Sequence, residues 1–563
     1  ITASPSSAVT ANSMTVKAAA LTISILPDPV AQTVVAGGQN FLFTKYQLDA
    51  GASGEDLRIS SLALYLTSGT SAQATELTNC VLYDGLTSTA TALNTGNNAV
   101  NPSLGAPTDS TFTFDTALVI PKGTSKTLAL KCNIASGGTT THKWGINTAP
   151  TVTGVTSGQS ATVTTNTGVG QLMTLTSGGS MSVTLDSSSP SYKVVAAGTS
   201  GNTVSVLRFH ATNEDMTLQS IALQLSSTTA STNADLGNPV TGNQVTLWDG
   251  TTQIGSAIFD GTTVSSVYLA TSTLATNVVI PKDGDKLITV KVDLPNQGDG
   301  QSGHPGALVA VDWDGGALIG TKALGASSGT AVYATGTDTA ASGLRVFKSY
   351  PTITYPTATT GSLIDAGVSE VMPLTVTADA KGDVYLRKLT FSLSTSTASL
   401  TGTSITFNGP VGNVHASSTL DIVPAASGPT TVYVTFDSTS NTSDRIVSAG
   451  SSKVYSMKAT IDATGTSNAG SANVLLKADV GYPSLTGSAA TPAAAFFSQW
   501  SSLMATSTYG SIANSNIIWS PMSTTSSVAA GATGNNDWTN GYGLPGCFSA
   551  LGQDCVARTT KTN

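Results

Sequence analysis

Apolar and polar residues alternate along much of this chain. Apolar positions fall at Leu57, Ile59, then Leu62, Leu64 and Leu66; at Met216, Leu218, then Ile221, Leu223 and Leu225; and at Val384, Leu386, then Leu389, Phe391 and Leu393. Each run has the period of two expected of a strand with one buried face, whereas a helix needs a period of about 3.6. Within each stretch the phase slips by one residue at the same place. A β-bulge, or a strand that changes sheets, would keep both halves pointing inward. The dipeptides Asp84-Gly85, Asp249-Gly250, Asp260-Gly261, Asp283-Gly284, Asp314-Gly315 and Asn408-Gly409 lie between apolar runs, and these residue types tolerate the positive φ of tight hairpin turns. The pattern predicts an all-β chain of antiparallel, two-layer, immunoglobulin-like β-sandwiches.

The stretches also repeat. GEDLRISSLALYL from Gly54 and NEDMTLQSIALQL from Asn213 are near copies. In that register VVAGG at Val34 meets VVAAG at Val194, CVLYDG at Cys80 meets VTLWDG at Val245, and LVIPKGTSKTLALKC at Leu118 meets VVIPKDGDKLITVKV at Val278. A more divergent copy runs from LIDAGVSEVMPLTVTADAKGDVYLRKLTFSL at Leu363 to IVPAASGPTTVYVTF at Ile422. The predicted division is an N-terminal arm or linker over 1–20, sandwiches over 21–178, 179–346 and 347–480, and an irregular Gly-, Ser- and Trp-containing tandem-array ending over 481–563.

Composition narrows the function classes. Only 10% of the 563 residues are charged and 40% are hydrophobic, which is enough apolar material for several cores and unlike a disordered chain. Cytoplasmic proteins usually carry about 25% charged residues, so the deficit points outside the cytoplasm. With 24 Lys and Arg against 32 Asp and Glu the net charge is -8; such a surface repels phosphate backbones, and nucleic acid is excluded as a partner. No apolar run reaches the roughly 18 residues of a transmembrane segment. The chain begins at Ile1, and the expectation is a secreted product whose signal peptide has been removed.

Four cysteines allow three pairings. The repeat favours one of them: Cys80 and Cys132 align with Val245 and Val292, so both stand where the second copy puts an apolar strand residue. The expected bridges are Cys80 with Cys132 and Cys547 with Cys555, in keeping with an oxidising compartment.

Candidate chemistry is sparse. The histidines, His142, His210, His304 and His415, are far apart and form no zinc pattern. GASSG from Gly325 satisfies the GxSxG nucleophile pattern, but a Ser- and Gly-rich chain produces such matches by chance and no strand-to-helix elbow surrounds it. No phosphate loop or dinucleotide fingerprint is present, and the chain is expected not to be an enzyme. Glu55-Asp56 and Glu214-Asp215 recur at the same edge of the repeat, and the third copy keeps only Asp383. One reading has these acids ending a strand and accepting backbone hydrogen bonds in the following turn. The sharper one has them bind calcium at domain junctions, with Asp283 and Asp285, and Asp312 and Asp314, as further ligands, because hard cations take carboxylate and carbonyl oxygens. Trp500, Trp519 and Trp538 cluster near the C-terminus as candidate interface or ligand-stacking aromatics, with packing against the last sandwich the favoured use. Asn441-Thr442-Ser443 is an N-glycosylation sequon.

The stretches LTISILPDPVAQTVVAGG, GEDLRISSLALYL and LTNCVLYDG together resemble the repeats of large S-layer-like and other cell-surface proteins of bacteria, especially ultra-small, reduced-genome lineages. SNIIWSP and DWTNGYGLPG are similar to a closing segment of the same group. The resemblance implies tandem β-sandwiches, secretion and self-assembly into a surface layer, and it brings no catalytic residue. No cell-wall-binding module is recognisable, which leaves a surface glycan or lipid as the expected anchor. The function expected from the sequence is an extracellular structural coat built from copies of the chain. The alternatives are an adhesin or glycan binder, and a filament subunit completed by its neighbour's N-terminal arm.

Overall fold

The computed structural model describes residues 12–13, 16–68, 74–87, 89–102, 109–225, 236–237, 242–264, 267–315, 320–355, 362–363, 367–396, 398–400, 405–412, 421–423, 429–436, 442–463, 470–481, 515–523 and 537–562. Trp500, His415 and Asn441 lie outside them. Strands dominate, with short helical turns at Ala74–Glu76, Gly96–Asn98 and Thr442–Arg445. Among the described residues no helix is long and apolar enough to cross a membrane. Three immunoglobulin-like antiparallel sandwiches follow one another, each around its own apolar core.

The predicted amphipathic strands are the central ones. Leu57–Ser68 takes Asp109–Ile120 along one side, and Val152–Gly154 then Thr141–Ile146 along the other. Met216–Leu225 takes Val267–Ile280 on one side, and Lys322–Gly325 then Val311–Trp313 on the other. Val384–Ser396 takes Thr430–Thr435 on one side, and Ile517–Ser520 then Ser471–Leu476 on the other. The phase slip is a bulge in all three: register shifts between Ile59 and Ser61, between Leu218 and Ser220, and between Leu386 and Lys388. One extra residue rotates the strand by half a period, so that Leu57, Ile59, Leu62 and Leu64 all reach the core while Ser60 faces solvent.

Each sandwich is closed by its last strand. Met173–Thr176 runs parallel to Gln32–Val35, and Leu344–Phe347 runs parallel to Lys193–Ala196. These pairs make Val34 the counterpart of Val195, so the alignment of Val34 with Val194 is one residue out. The third sandwich is closed by the final strand described, Arg558–Thr562, which pairs parallel with Ser362–Leu363 and antiparallel with Ser471–Leu476. Gly546 makes a parallel bridge to Ile353, as Thr335 does to Ser182 and as Thr162–Thr165 does to Ala20–Ile25. The boundary expected at residue 480 therefore falls inside the third sandwich, and the described part of 481–563 completes that sandwich instead of forming an irregular ending. The physical reason is edge pairing: without these strands the third sandwich would present unpaired backbone groups where the first two present none.

Cys80 and Cys132 are joined, with 4.0 Å between their Cα atoms, and their counterparts Val245 and Val292 are direct cross-strand partners. Cys547 and Cys555 are joined as well. Their loop is held between two strands of the third sandwich, the Cys547 N–H donating to the Ile353 carbonyl and the Cys555 N–H to that of Leu476. Trp519 and Trp538 are buried, packed as side chains of the last sandwich. The Trp519 indole N–H donates to the Asn540 carbonyl at 2.7 Å and its ring meets Phe347 edge-on at 5.0 Å; Trp538 stands edge-on to Tyr385 at 5.1 Å. Trp519 belongs to the core of the third sandwich, and Trp538 packs with Tyr385 and Ile518 in a separate small cluster.

Candidate functional site at the domain junctions

The recurring acids open the central strands, and each acid of a pair has one task. The Asp side chains pin a turn in the neighbouring strand. Asp56 Oδ1 accepts the Lys122 N–H at 2.9 Å, Asp215 Oδ1 that of Lys282 at 2.6 Å, and Asp383 Oδ1 that of Ala449 at 2.8 Å. These donors lie 66, 67 and 66 residues further along the chain, so the acids cap a distant connection between strands and not the turn next in sequence.

The Glu side chains sit inside a second turn that sequence reasoning passed over. Glu55 accepts the N–H groups of Thr156 and Ser157, each at 2.8 Å, and the Ser157 hydroxyl at 2.6 Å. Glu214 accepts the N–H of Ser327 at 2.8 Å, the N–H of Ser328 at 2.9 Å, the Ser328 hydroxyl at 2.8 Å and the Gly179 N–H at 2.8 Å. Both turns close in the same way, Gly158 N–H to Gly154 carbonyl and Gly329 N–H to Gly325 carbonyl, each at 3.0 Å. GVTSG from Gly154 and GASSG from Gly325 are thus one motif, with two backbone amides and a hydroxyl around a carboxylate. A side chain at Gly154 or Gly325 would run into that carboxylate. The chance match to a nucleophile pattern is explained by this turn, and the signal that would have found it is its recurrence 171 residues away.

Electrostatics follow from the donors. The Ser157 hydroxyl and amide hold the Glu55 carboxyl below the usual carboxylate range. Burial pushes the Glu214 carboxyl up, but the amides of Ser328, Gly179 and Ser327 with the Ser328 hydroxyl outweigh it and leave it lowered. In the third copy Gly382 replaces the Glu. Its carbonyl accepts the Ser349 hydroxyl at 2.6 Å, while Asp537 gathers the turn after Ile517–Ser520, taking the Ser520 hydroxyl at 3.0 Å and the Ser523 N–H at 2.8 Å.

The faces of the second and third sandwiches each meet the sandwich before them. The hairpin end at Gly37 lies over the Ser327–Ser328 turn so closely that a Cβ on Gly37 would stand 2.9 Å from the Ser327 carbonyl oxygen, and Gly37 also has φ +87°; only glycine satisfies both demands. Glu214 beneath is 2% exposed. At the next junction Gly198, the counterpart of Gly37, accepts the Lys381 ammonium at 3.0 Å on its carbonyl, and the Lys348 ammonium reaches the Met522 carbonyl at 3.1 Å. The chemistry around the two hairpin ends differs. Val194 and Phe347 join the core of the third sandwich, whereas their counterparts at the first junction are Thr33 and Thr176.

The remaining acids are spoken for. Asp283 Oδ1 accepts the Asn213 N–H at 2.9 Å. Asp285 bonds Arg208 at 2.8 Å and His210 at 2.7 Å. Asp312 Oδ1 accepts the Ala341 N–H at 2.5 Å, and Asp314 is buried. Among the described residues no three His, Cys, Asp or Glu side chains gather to hold a metal ion, so the acids named for calcium do not come together.

Two buried ionisable groups bear on pH response. His142 Nε2 contacts Glu76 Oε2 at 2.9 Å while its buried Nδ1 has no partner. Burial, only partly offset by Glu76, holds the imidazole below its ordinary pKa, because a second ring N–H would find no acceptor. Asp479 accepts the N–H groups of Asn516, Gly541 and Ile517, yet its burial prevails over them and the Lys388 charge and raises its pKa to about 6. Asp479 lines a cavity of about 210 Å³ with Tyr192, Gly541, Gly543, Leu544 and Phe548.

No protein-family model matches the chain, and no curated protein matches it. Solved structures that align with it include the C-terminal domain of the AgI/II polypeptide BspA of Streptococcus agalactiae, 7% identical over 53% of this chain and 95% of that one, with a TM-score of 0.15. A protein of Corynebacterium diphtheriae described as membrane anchored is 8% identical over 81% of this chain and 86% of its own, with a TM-score of 0.17. The collagen binding domain of surface protein RspB of Erysipelothrix rhusiopathiae is 10% identical over 52% and 87%, with a TM-score of 0.12. Whole-chain similarity at these scores is slight, and the function is argued from the chain itself.

Proposed function

We propose that the chain is a structural protein of the cell exterior that assembles with itself into an S-layer-like extracellular coat. The observation that carries this reading is the repeated acid-and-turn motif: the chemistry that recurs along the described residues, Glu55 with Thr156 and Ser157 and Glu214 with Ser327 and Ser328, fixes turns within each sandwich, as a structural module written more than once would require. Two disulfides suit an oxidising exterior. A surface with few charges suits close lateral packing, because adjoining faces then have few ions to desolvate. Electron microscopy of the native cell surface and of the purified chain tests it. Ordered sheets or fibres are expected, and a monomer at every concentration would refute the reading. Repeating the imaging with a chelator decides whether calcium takes part. A second reading, adhesion to a surface glycan, is favoured by the cavity beside Tyr192 and Phe548; saturable binding on a glycan array, lost in Tyr192→Ala, would establish it.

A further inference from the structure

The two junctions differ just ahead of the parallel strand pairs that form their hairpin ends. Because Val34 is the counterpart of Val195, Ala31 corresponds to Tyr192; Ala31 is exposed and Tyr192 is 8% exposed. What covers Tyr192 comes from the third sandwich. Its ring meets that of Tyr542 at 5.3 Å, and a Cβ on Gly543 would run into it. Gly543 also has φ +80°, so the chain can lie on the ring at that point only as glycine.

Tyr542 and Gly543 are the tip of a turn with two feet. The Leu544 N–H donates to the Gly541 carbonyl at 3.2 Å, and Leu544 itself belongs to the third core. The first foot is Gly541, whose N–H donates to Asp479 Oδ2 at 2.8 Å. The second is Cys547, whose N–H donates to the Ile353 carbonyl at 2.7 Å. Cys547 is bridged to Cys555. Cys555 is pinned in turn, its N–H donating to the Leu476 carbonyl at 3.1 Å while its neighbour Asp554 Oδ1 accepts the Ala478 N–H at 2.7 Å. The bridge therefore ties the second foot to the strand Ser471–Leu476. Cys80 and Cys132 have a different place, since both lie within the first core.

We infer that residues 541–546 are a strap that holds the third sandwich to the second through Tyr192, and that closing the Cys547–Cys555 bridge sets the strap. Closure takes two electrons and two protons from the two thiols and passes them to a disulfide oxidant, which leaves as a dithiol. Before closure the second foot is held by hydrogen bonds alone, and the strap opens into a long free loop. Afterwards the cross-link shortens that loop and removes much of the entropy gained on opening. An exported chain thus completes its second junction on reaching an oxidising exterior. The inference stands apart from self-assembly, because every contact in it lies within one copy.

The test compares the oxidised full chain with Cys547→Ser/Cys555→Ser, which leaves the Cys80–Cys132 bridge in place. Hydrogen exchange should show the amides of 541–547 opening more readily, on the order of tenfold, with the strand Val384–Ser396 as protected as before. Hydroxyl-radical footprinting should show the Tyr192 ring labelled several-fold faster. Tyr192→Ala in the oxidised chain is the second variant, and it removes the hold from the other side: exchange at 541–544 should rise with the bridge intact. Exchange and labelling that the double serine variant leaves unchanged overturn the bridge as the setting step. Protection lost from Val384–Ser396 as well overturns it too, since the bridge would then support the whole sandwich and not a strap. Exchange at 541–544 that Tyr192→Ala leaves unchanged overturns Tyr192 as the point held.

Discussion

Glu55 and Glu214 offer one substitution at two equivalent sites that differ in coverage. In Glu214→Gln one carboxylate oxygen becomes an amide nitrogen. Oε1 serves the Gly179 N–H and the Ser328 hydroxyl, and Oε2 serves the N–H groups of Ser327 and Ser328. Either orientation of the amide turns an NH₂ group toward at least one backbone N–H that has no other acceptor in place. With the site 2% exposed, water replaces it poorly. An unsatisfied buried donor costs about 1–3 kcal/mol, and the bonds that remain lose the strength a charged acceptor gives. The expected loss is about 3 kcal/mol, which for a domain of this size lowers its melting temperature by roughly 6–12 °C. Glu55→Gln breaks the same pattern of bonds where solvent reaches the turn, so the freed amides of Thr156 and Ser157 bond water and the shift is clearly smaller. Calorimetry of both variants at pH 7 measures the two shifts, with hydrogen exchange assigning each transition to its sandwich because a three-domain chain does not unfold in one step. Equal shifts would refute the argument that coverage sets the value of the carboxylate.

Replacing Cys80 and Cys132 together by Val should give a first sandwich less stable than the oxidised protein, since a 52-residue separation makes the bridge worth about 4 kcal/mol in the loop-closure account. It should still be more stable to urea than the reduced protein, because the second sandwich packs Val245 against Val292 at this place; a double-Val protein weaker than the reduced one would contradict the equivalence. The first and third sandwiches should respond oppositely to pH between 7 and 5. The His142 pKa is lowered in the folded state, so the unfolded chain takes up the proton first and the first sandwich loses stability as pH falls. The Asp479 pKa is raised to about 6, so its contribution is lost as pH rises through that value and the third sandwich gains on acidification to pH 5. Exchange rates resolved by sandwich, and corrected for intrinsic rates, would show changes of the same sign if this assignment were wrong. Deleting residues 558–563 should strip protection from Ser471–Leu476, the strand that pairs with Arg558–Thr562; unchanged protection there would show that the strand does not close the sandwich.

Most of the core was legible because burial imposes a period. The slipped alternation at Ile59, Leu218 and Leu386 announced a bulge, and bulges are there. The match of Cys80 and Cys132 with two valines pointed to facing strands, and the two pairs do face each other. The third sandwich's closing strand was illegible for the converse reason. Its work is done by backbone pairing over a few residues, which leaves little mark on side-chain choice. Packing of Trp519 and Trp538 against the last sandwich was the favoured reading, but their partners, Phe347 and Tyr385, lie more than 150 residues earlier in the chain and were not legible. The junction turn was hidden by distance too: GASSG acquires meaning only beside Glu214, and GVTSG only beside Glu55.

The two junctions also divide the chain mechanically. Bending between the second and third sandwiches would draw Phe347 and Val194 out of the third core, and each large apolar side chain returned to water costs about 1.5–3 kcal/mol. Bending between the first and second exposes Thr33 and Thr176, which are half-buried polar side chains and cost little in water. The apolar penalty for bending is therefore greater at the second junction, where Val194 and Phe347 pack into the third core, than at the first.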